Sequence, residues 1–289
     1  MSATLGLGLA ALGRPGYINT SHAEDLGADR SVETMQRRCH AVLDRAWALG
    51  LRHVDCARSY GRAEEFLASW IGDRELTVSS KWGYSYTADW RVEADRHEVK
   101  DHSLATFRRQ LAESRALLGR HLAIYQIHSA TLESGVLEDA AVLDELAELR
   151  ALGIRPGLSV SGPAQAAVID RALAIERAGR PLFESVQATW NLLERSAEPA
   201  LARAHAAGLT VIVKEALANG RLAERATEAL GAALSRPWAS VVLSGAATIA
   251  QLEQGAAARD ARFDPTVLDR VRPEPPDEYW RKRAALPWQ

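Results

Sequence analysis

Apolar runs of strand length alternate with amphipathic, helix-like stretches along almost the whole chain. The strand candidates are residues 5–12, 51–57, 75–81, 122–128, 154–161, 183–189, 209–215 and 240–245. Between them lie stretches such as "MQRRCHAVLDRAWALG", "SLATFRRQLAESRALLG", "EDAAVLDELAELRALG" and "AEPALARAHAAG". Each of these closes on glycine, the residue that most easily ends a helix. Eight strands alternating with helices predict a parallel sheet with crossover connections. That count, in 289 residues, suits a (β/α)8 TIM barrel, and the expectation is one α/β domain over residues 1–289. A doubly wound open sheet is the alternative, but it normally carries a glycine-rich phosphate loop after its first strand. Here Gly6 and Gly8 lead into "LAALGRPGY", which opens no helix with G-x-G-x-x-G.

The third strand-to-helix connection, residues 82–103, is long and carries Trp82, Tyr84, Tyr86 and Trp90. Long loops in compact domains are commonly binding loops or lids, and in a barrel this one falls at the C-terminal face of the strands. Trp82, Tyr84 and Tyr86 are therefore candidate substrate-pocket residues, with a folded-over hydrophobic plug as the alternative.

Composition narrows the partners. A formal net charge of -2 gives no electrostatic reason to expect nucleic acid or an anionic membrane. No segment approaches the roughly 20 apolar residues that span a bilayer. The N-terminus has no basic region ahead of its apolar run, so no signal peptide is expected. Two cysteines, Cys39 and Cys56, are too few for a disulfide framework and suit reduced thiols in the cytoplasm. Nothing local activates Cys56 as a nucleophile. No metal site is expected.

Polar residues occupy equivalent places on successive strands. Asp55 lies near the end of the second candidate strand, Lys81 ends the third, His128 ends the fourth, and Tyr60 follows in the loop after the second. Singly, each has a bland reading as cap, core aromatic, surface terminus or satisfied histidine. Their joint placement at the catalytic face of a barrel outweighs those readings. A phenol with pKa about 10 exchanges protons poorly near neutral pH unless its anion is stabilised. A nearby ammonium does that. Lys81 is the candidate ammonium, Asp55 its counter-charge, and His128 a hydrogen-bond donor to a substrate oxygen. Such a site polarises a carbonyl while another group delivers hydride.

These residues resemble the aldo-keto reductases, NADPH-dependent (β/α)8 barrels with an Asp-Tyr-Lys-His tetrad. "HVDCARSYG", "SSKWG" and "YQIHSA" are similar to the family's three catalytic strand ends, and "GLSVSGP", "SVQATWNLLERS", "KEALANGRL" and "SGAATIAQLEQ" follow in the family's order. The resemblance implies Tyr60 as general acid and base, Lys81 as the group that lowers its pKa, Asp55 as the partner of Lys81, and His128 as the residue that orients the carbonyl. It implies a bound nicotinamide cofactor, its carboxamide held by Ser159 and Gln187. Further cofactor contacts are implied at Lys214, Leu217, Gly220, Arg221, Gly245, Thr248, Gln251 and Gln254. Arg221 is the nearest basic residue for the phosphates, and Thr248 the cap of the helix that would receive them.

Departures from the family pattern gather at the cofactor end. Val160 stands where asparagine often follows the serine, Lys214 where an aromatic residue usually stacks on the nicotinamide, and Gln251 where an arginine usually meets the 2′-phosphate. NADP is therefore expected as cofactor, with NAD as the alternative. Near the C-terminus, Trp280 and Trp288 are expected to pack against the barrel rather than cover its mouth. The function implied is reduction of a small aldehyde, ketone or sugar to an alcohol, or the reverse, with no nucleic-acid or membrane partner. The alternatives are a nicotinamide-binding sensor subunit with little turnover, or an isomerase that uses the same polar mouth. The sequence carries no signal for oligomeric state.

Overall fold

A computed structural model describes residues 3–289 except Ser21 and Arg262. Eight parallel strands close into a barrel: β1 (Thr4–Gly8), β2 (His53–Asp55), β3 (Thr77–Trp82), β4 (Leu122–Ala130), β5 (Arg155–Val160), β6 (Ser185–Thr189), β7 (Thr210–Lys214) and β8 (Val241–Ser244). Their order round the barrel follows the chain, and β1 closes it by pairing with both β2 and β8. The eight-stranded barrel expected from the sequence is the fold observed.

A helix packs outside after each strand: α1 (Val32–Ala48), α2 (Ala63–Ile71), α3 (Leu104–Leu118), α4 (Ala140–Glu148), α5 (Gln165–Leu173), α6 (Glu198–Ala206), α7 (Ala226–Leu234) and α8 (Ile249–Ala257). Ser31, Ser103, Asp139 and Thr248 cap four of them, each side chain accepting an N–H of the first turn. No helix among the described residues is long and apolar enough to cross a membrane.

Strand parity decides what each side chain meets, because successive residues face opposite sides. On β7, Val211 and Val213 join the large core between barrel and helices. Ile212 instead joins Ile124, Val241 and Leu243 in a separate buried cluster inside the barrel. Lys214, two residues beyond Ile212, shares its inward face. By the same alternation Ser79 and Lys81 point inward on β3, and Trp82 points out. Gly157 on β5 leaves room inside the barrel, since a Cβ there would overlap the Ser185 hydroxyl.

The apolar runs overestimate strand length at their ends. Leu9, Ala11 and Leu12 are buried but lie beyond the end of β1, with Leu12 N–H donating to the Leu9 carbonyl at 3.1 Å. The long third connection is not plain loop: Tyr84–Tyr86 and Glu98–Lys100 pair as an antiparallel ribbon. A last helix, α9 (Pro276–Ala284), brings the C-terminal tail across the barrel mouth. There Tyr17 and Gln289 exchange two backbone hydrogen bonds of 3.1 Å.

Candidate active site

The C-terminal ends of the strands surround a cleft of about 450 Å³ whose walls include Asp55, Tyr60, His128, Ser159, Gln187 and Lys214. Asp55 is its anchor. It is buried, and one carboxylate oxygen accepts from Lys81 Nζ. The other accepts from Ser79 Oγ at 2.7 Å and Gln187 Nε2 at 2.8 Å. Lys81 Nζ also donates to the Cys56 carbonyl at 3.0 Å and lies 4.9 Å from the centre of the Tyr60 ring. A buried ion pair needs further hydrogen bonds to offset its desolvation, and here Ser79, Gln187 and the Cys56 carbonyl supply them.

Tyr60 reaches the cleft from the turn after β2, where Arg62 N–H donates to the Gly13 carbonyl at 2.7 Å. Burial, followed by the nearby Asp55 carboxylate, pushes its phenol well above the ordinary tyrosine value, while Arg14 pulls the other way. The phenol is therefore protonated over the whole neutral range. Arg14 is the cation that most opposes this rise, and Lys81, paired with Asp55, does not reverse it. Arg14 sits 5.2 Å from the Tyr60 ring centre and donates to the Ser59 carbonyl at 3.1 Å and to Glu98 at 2.9 Å.

His128 sits edge-on to Tyr60, with ring centres 5.5 Å apart. A bulge in β4 places it, since the pairing with β5 shifts between Ile127 and Ala130 and Ser129 has φ 51°. The Ser129 N–H donates to Ser159 Oγ at 2.8 Å, which ties the bulge to β5. Burial, then the charges of Lys81, Lys214 and Arg14, holds the imidazole neutral. Its Nδ1 lies 3.4 Å from Ser59 Oγ.

The other expected residues divide. Leu217, Gly220, Gly245, Gln251 and Gln254 line the far part of the cleft, and Tyr84 lines it beside His128, with ring centres 4.9 Å apart. Trp82 does not. It is buried between barrel and α3, 4.9 Å from Phe107 ring to ring, as its outward parity on β3 requires. Tyr86, in the ribbon, also lies outside the lining. Arg221 pairs with Glu274 through two bonds of 2.6 and 3.0 Å rather than facing the cleft. Thr248 caps α8, its Oγ1 accepting the Gln251 N–H at 3.2 Å, and Gln251 in turn accepts the Ala247 N–H at 2.9 Å. Cys56 is buried, and burial raises its thiol far above the reactive range.

Several cleft residues escape sequence reasoning. Arg14 and Tyr17 follow β1, Glu98 lies in the ribbon, Glu215 follows β7, and Arg283 lies in α9. Trp288, expected against the barrel, instead roofs the cleft: it stacks on His97 with ring centres 3.9 Å apart and lies 4.8 Å from Arg14. The pairing of the tail with residues 17–18 carries it there. Trp280 does pack inward, edge-on to Tyr279.

Comparison with known proteins agrees with the barrel fold. Residues 4–233 match the model of the Aldo/keto reductase family. No curated protein sequence matches closely enough to count as a relative. Among solved structures, a protein described as an aldo-keto reductase from Pseudomonas aeruginosa is 25% identical, with TM-score 0.66 over 89% of this chain and 91% of that one. An aldo-keto reductase from Bacillus halodurans, in its holo form, shares the fold at 18% identity and TM-score 0.68, over 98% of this chain and 92% of that one. With most of its length matched by the family model, and with a closed eight-stranded barrel carrying Asp55, Tyr60, Lys81 and His128 at one end, the chain belongs to the aldo/keto reductase family.

Proposed function

We propose that the chain is a nicotinamide-dependent oxidoreductase that reduces a small carbonyl compound, an aldehyde, ketone or sugar, to an alcohol. The observation that carries this reading is the juxtaposition of Tyr60 and His128 at the cleft, above the Lys81–Asp55 pair. A carbonyl oxygen gaining hydride becomes an alkoxide and needs a proton and a hydrogen-bond donor where that charge develops. Tyr60 holds the proton, and the neutral imidazole of His128 orients the oxygen. Asp55 fixes Lys81, and Lys81 favours the phenolate as the proton leaves. A phenol that burial keeps protonated is matched to the acid role that carbonyl reduction requires.

The residues present fit a nicotinamide dinucleotide. Gln187 and Ser159 offer amide and hydroxyl groups to a carboxamide, and Gly245 lines the cleft with open space where a Cβ would stand. The first-turn N–H groups of α8 not used by the Thr248 and Gln251 side chains suit a phosphate. When bound, the cofactor supplies the hydride. Gln251 and Gln254 give the adenosine end neutral amides, and Arg221 is taken up by Glu274. This donor set supports NADH at least as well as NADPH. Free, buried Cys39 and Cys56 suit a reducing compartment such as the cytoplasm.

The test is loss of reduced-cofactor absorbance on mixing the purified protein with NADH or NADPH and a panel of carbonyls. Tyr60→Phe is expected to lower kcat by about 100-fold or more. Full turnover by that variant would sink the mechanism.

A further inference from the structure

We propose that Lys214 is an anion-binding residue and that the substrate is a small carbonyl compound carrying one carboxylate. This deepens the carbonyl-reductase reading and rests on it.

One cation at the cleft lacks a matching charge. Four cations stand in or directly under the cleft: Arg14, Lys81, Lys214 and Arg283. Three have a carboxylate of their own. Lys81 is closed by Asp55, and Arg14 by Glu98 at 2.9 Å. Arg283 is closed by Glu215, with Nη2 at 2.5 Å and Nε at 2.9 Å from the same oxygen, Oε1. Lys214 Nζ comes no nearer than 3.9 Å to that already engaged oxygen. Its other neighbour is the Trp280 ring, 5.8 Å away, and it makes no hydrogen bond among the described residues. His128 is neutral and offers no compensating charge.

Glu215 is also prevented from closing the gap. Its backbone is held at φ 56°, a strained value for a non-glycine residue. Asn191 Nδ2 donates to its carbonyl at 3.0 Å, and Thr189 Oγ1 donates to Oε2 at 3.0 Å. Lys214 is thus an ammonium with three donors, mostly buried and facing the cleft, whose nearest counter-charge is pinned to another cation. Burial works against that charge and lowers its pKa to about 8, so it is still mostly protonated at pH 7. One unmatched cation calls for one negative charge. A monocarboxylate neutralises it, whereas a phosphate dianion would leave excess negative charge beside Asp55 and Glu215.

Direct binding separates this inference from turnover. Butanoate, butanamide and inorganic phosphate are titrated calorimetrically into the wild type, Lys214→Met and Lys214→Arg, with and without cofactor. Alongside, kcat/KM is measured for 4-oxobutanoate and its methyl ester. The wild type is expected to bind butanoate at least about tenfold more tightly than butanamide. Lys214→Met should lose that preference, and Lys214→Arg should restore it. Absence of butanoate binding to the wild type, equal butanoate binding by Lys214→Met, or a preference for phosphate would each overturn the assignment. If Lys214-dependent butanoate binding persists but no carbonyl is reduced, the anion site stands and the reductase reading falls, taking the carbonyl part of the substrate assignment with it. If the ester is reduced as well as the acid through Tyr60, the anion subsite falls and the reductase reading stands.

Discussion

Replacing Lys214 by methionine is expected to stabilise the protein at neutral pH. The ordinary lysine value of 10.5 falls to about 8 in the fold, chiefly through burial, with Glu215 opposing and Arg283 and Lys81 assisting. At about 1.4 kcal/mol per unit, the charged ammonium is roughly 3 kcal/mol costlier folded than unfolded. The side chain is only 15% exposed, so solvent screening removes little of this. Below pH 8 both states are protonated and the whole cost is present. Between pH 8 and 10.5 the folded chain gives up the proton first and the unfolded chain holds more protons, so wild-type stability rises with pH. Lys214→Met lacks that segment of the curve, whereas the other titrating groups are common to both proteins. Urea unfolding of the two proteins at pH 7, 9 and 11 is the assay. The variant should be the more stable at pH 7, and the gap should shrink by roughly 3 kcal/mol by pH 11. A gap that does not change with pH, or a wild type that is the more stable at pH 7, would refute the claim that an uncompensated charge sits there.

Two further substitutions probe the rest of the site. Asp55→Asn leaves Lys81 as a buried cation without a counter-charge, so a loss of about 3–5 kcal/mol in urea unfolding is expected, together with loss of turnover; a cost below 1 kcal/mol would mean that the pair carries little. Gly13→Ala sets a Cβ against the Tyr60 carbonyl oxygen and 2.5 Å from Ala63 Cβ. It should destabilise by about 1–3 kcal/mol and lower kcat by displacing Tyr60, and wild-type kcat in that variant would show that Gly13 does not position it.

The barrel is legible in the sequence because each strand is buried on both sides and is bounded by helical stretches with their own caps. Asp55, Lys81 and His128 are legible for a related reason: an ionisable side chain at the end of an apolar run is conspicuous, and three successive runs repeat it. Parity alone also separates Lys81 from Trp82, so the outward position of Trp82 could be read from the strand without coordinates. What stays hidden is the set of long-range pairs at the cleft mouth. Arg14 and Glu98 are separated by 84 residues, and Glu215 and Arg283 by 68. No periodicity links residues in a loop, a ribbon and a terminal helix. Trp288 is hidden in the same way, since only the pairing of the tail with residues 17–18 turns it over the cleft rather than onto the barrel.

Those hidden pairs explain why one lysine stands out. Each buried charge pair in the mouth joins two separate pieces of chain, so it fixes loop geometry as well as balancing charge. Arg14–Glu98 ties the β1 loop to the ribbon, and Arg283–Glu215 ties α9 to the end of β7. Lys214 ties nothing to anything. Its ammonium lowers stability without organising any loop, while its neighbours Glu215 and Thr189 are held rigidly about it. A fold that compensates every other charge around a cleft and leaves one facing the space has placed its instability where a ligand can relieve it. Binding of an anion there would restore the missing compensation, and the wild type should accordingly gain thermal stability from butanoate that Lys214→Met does not.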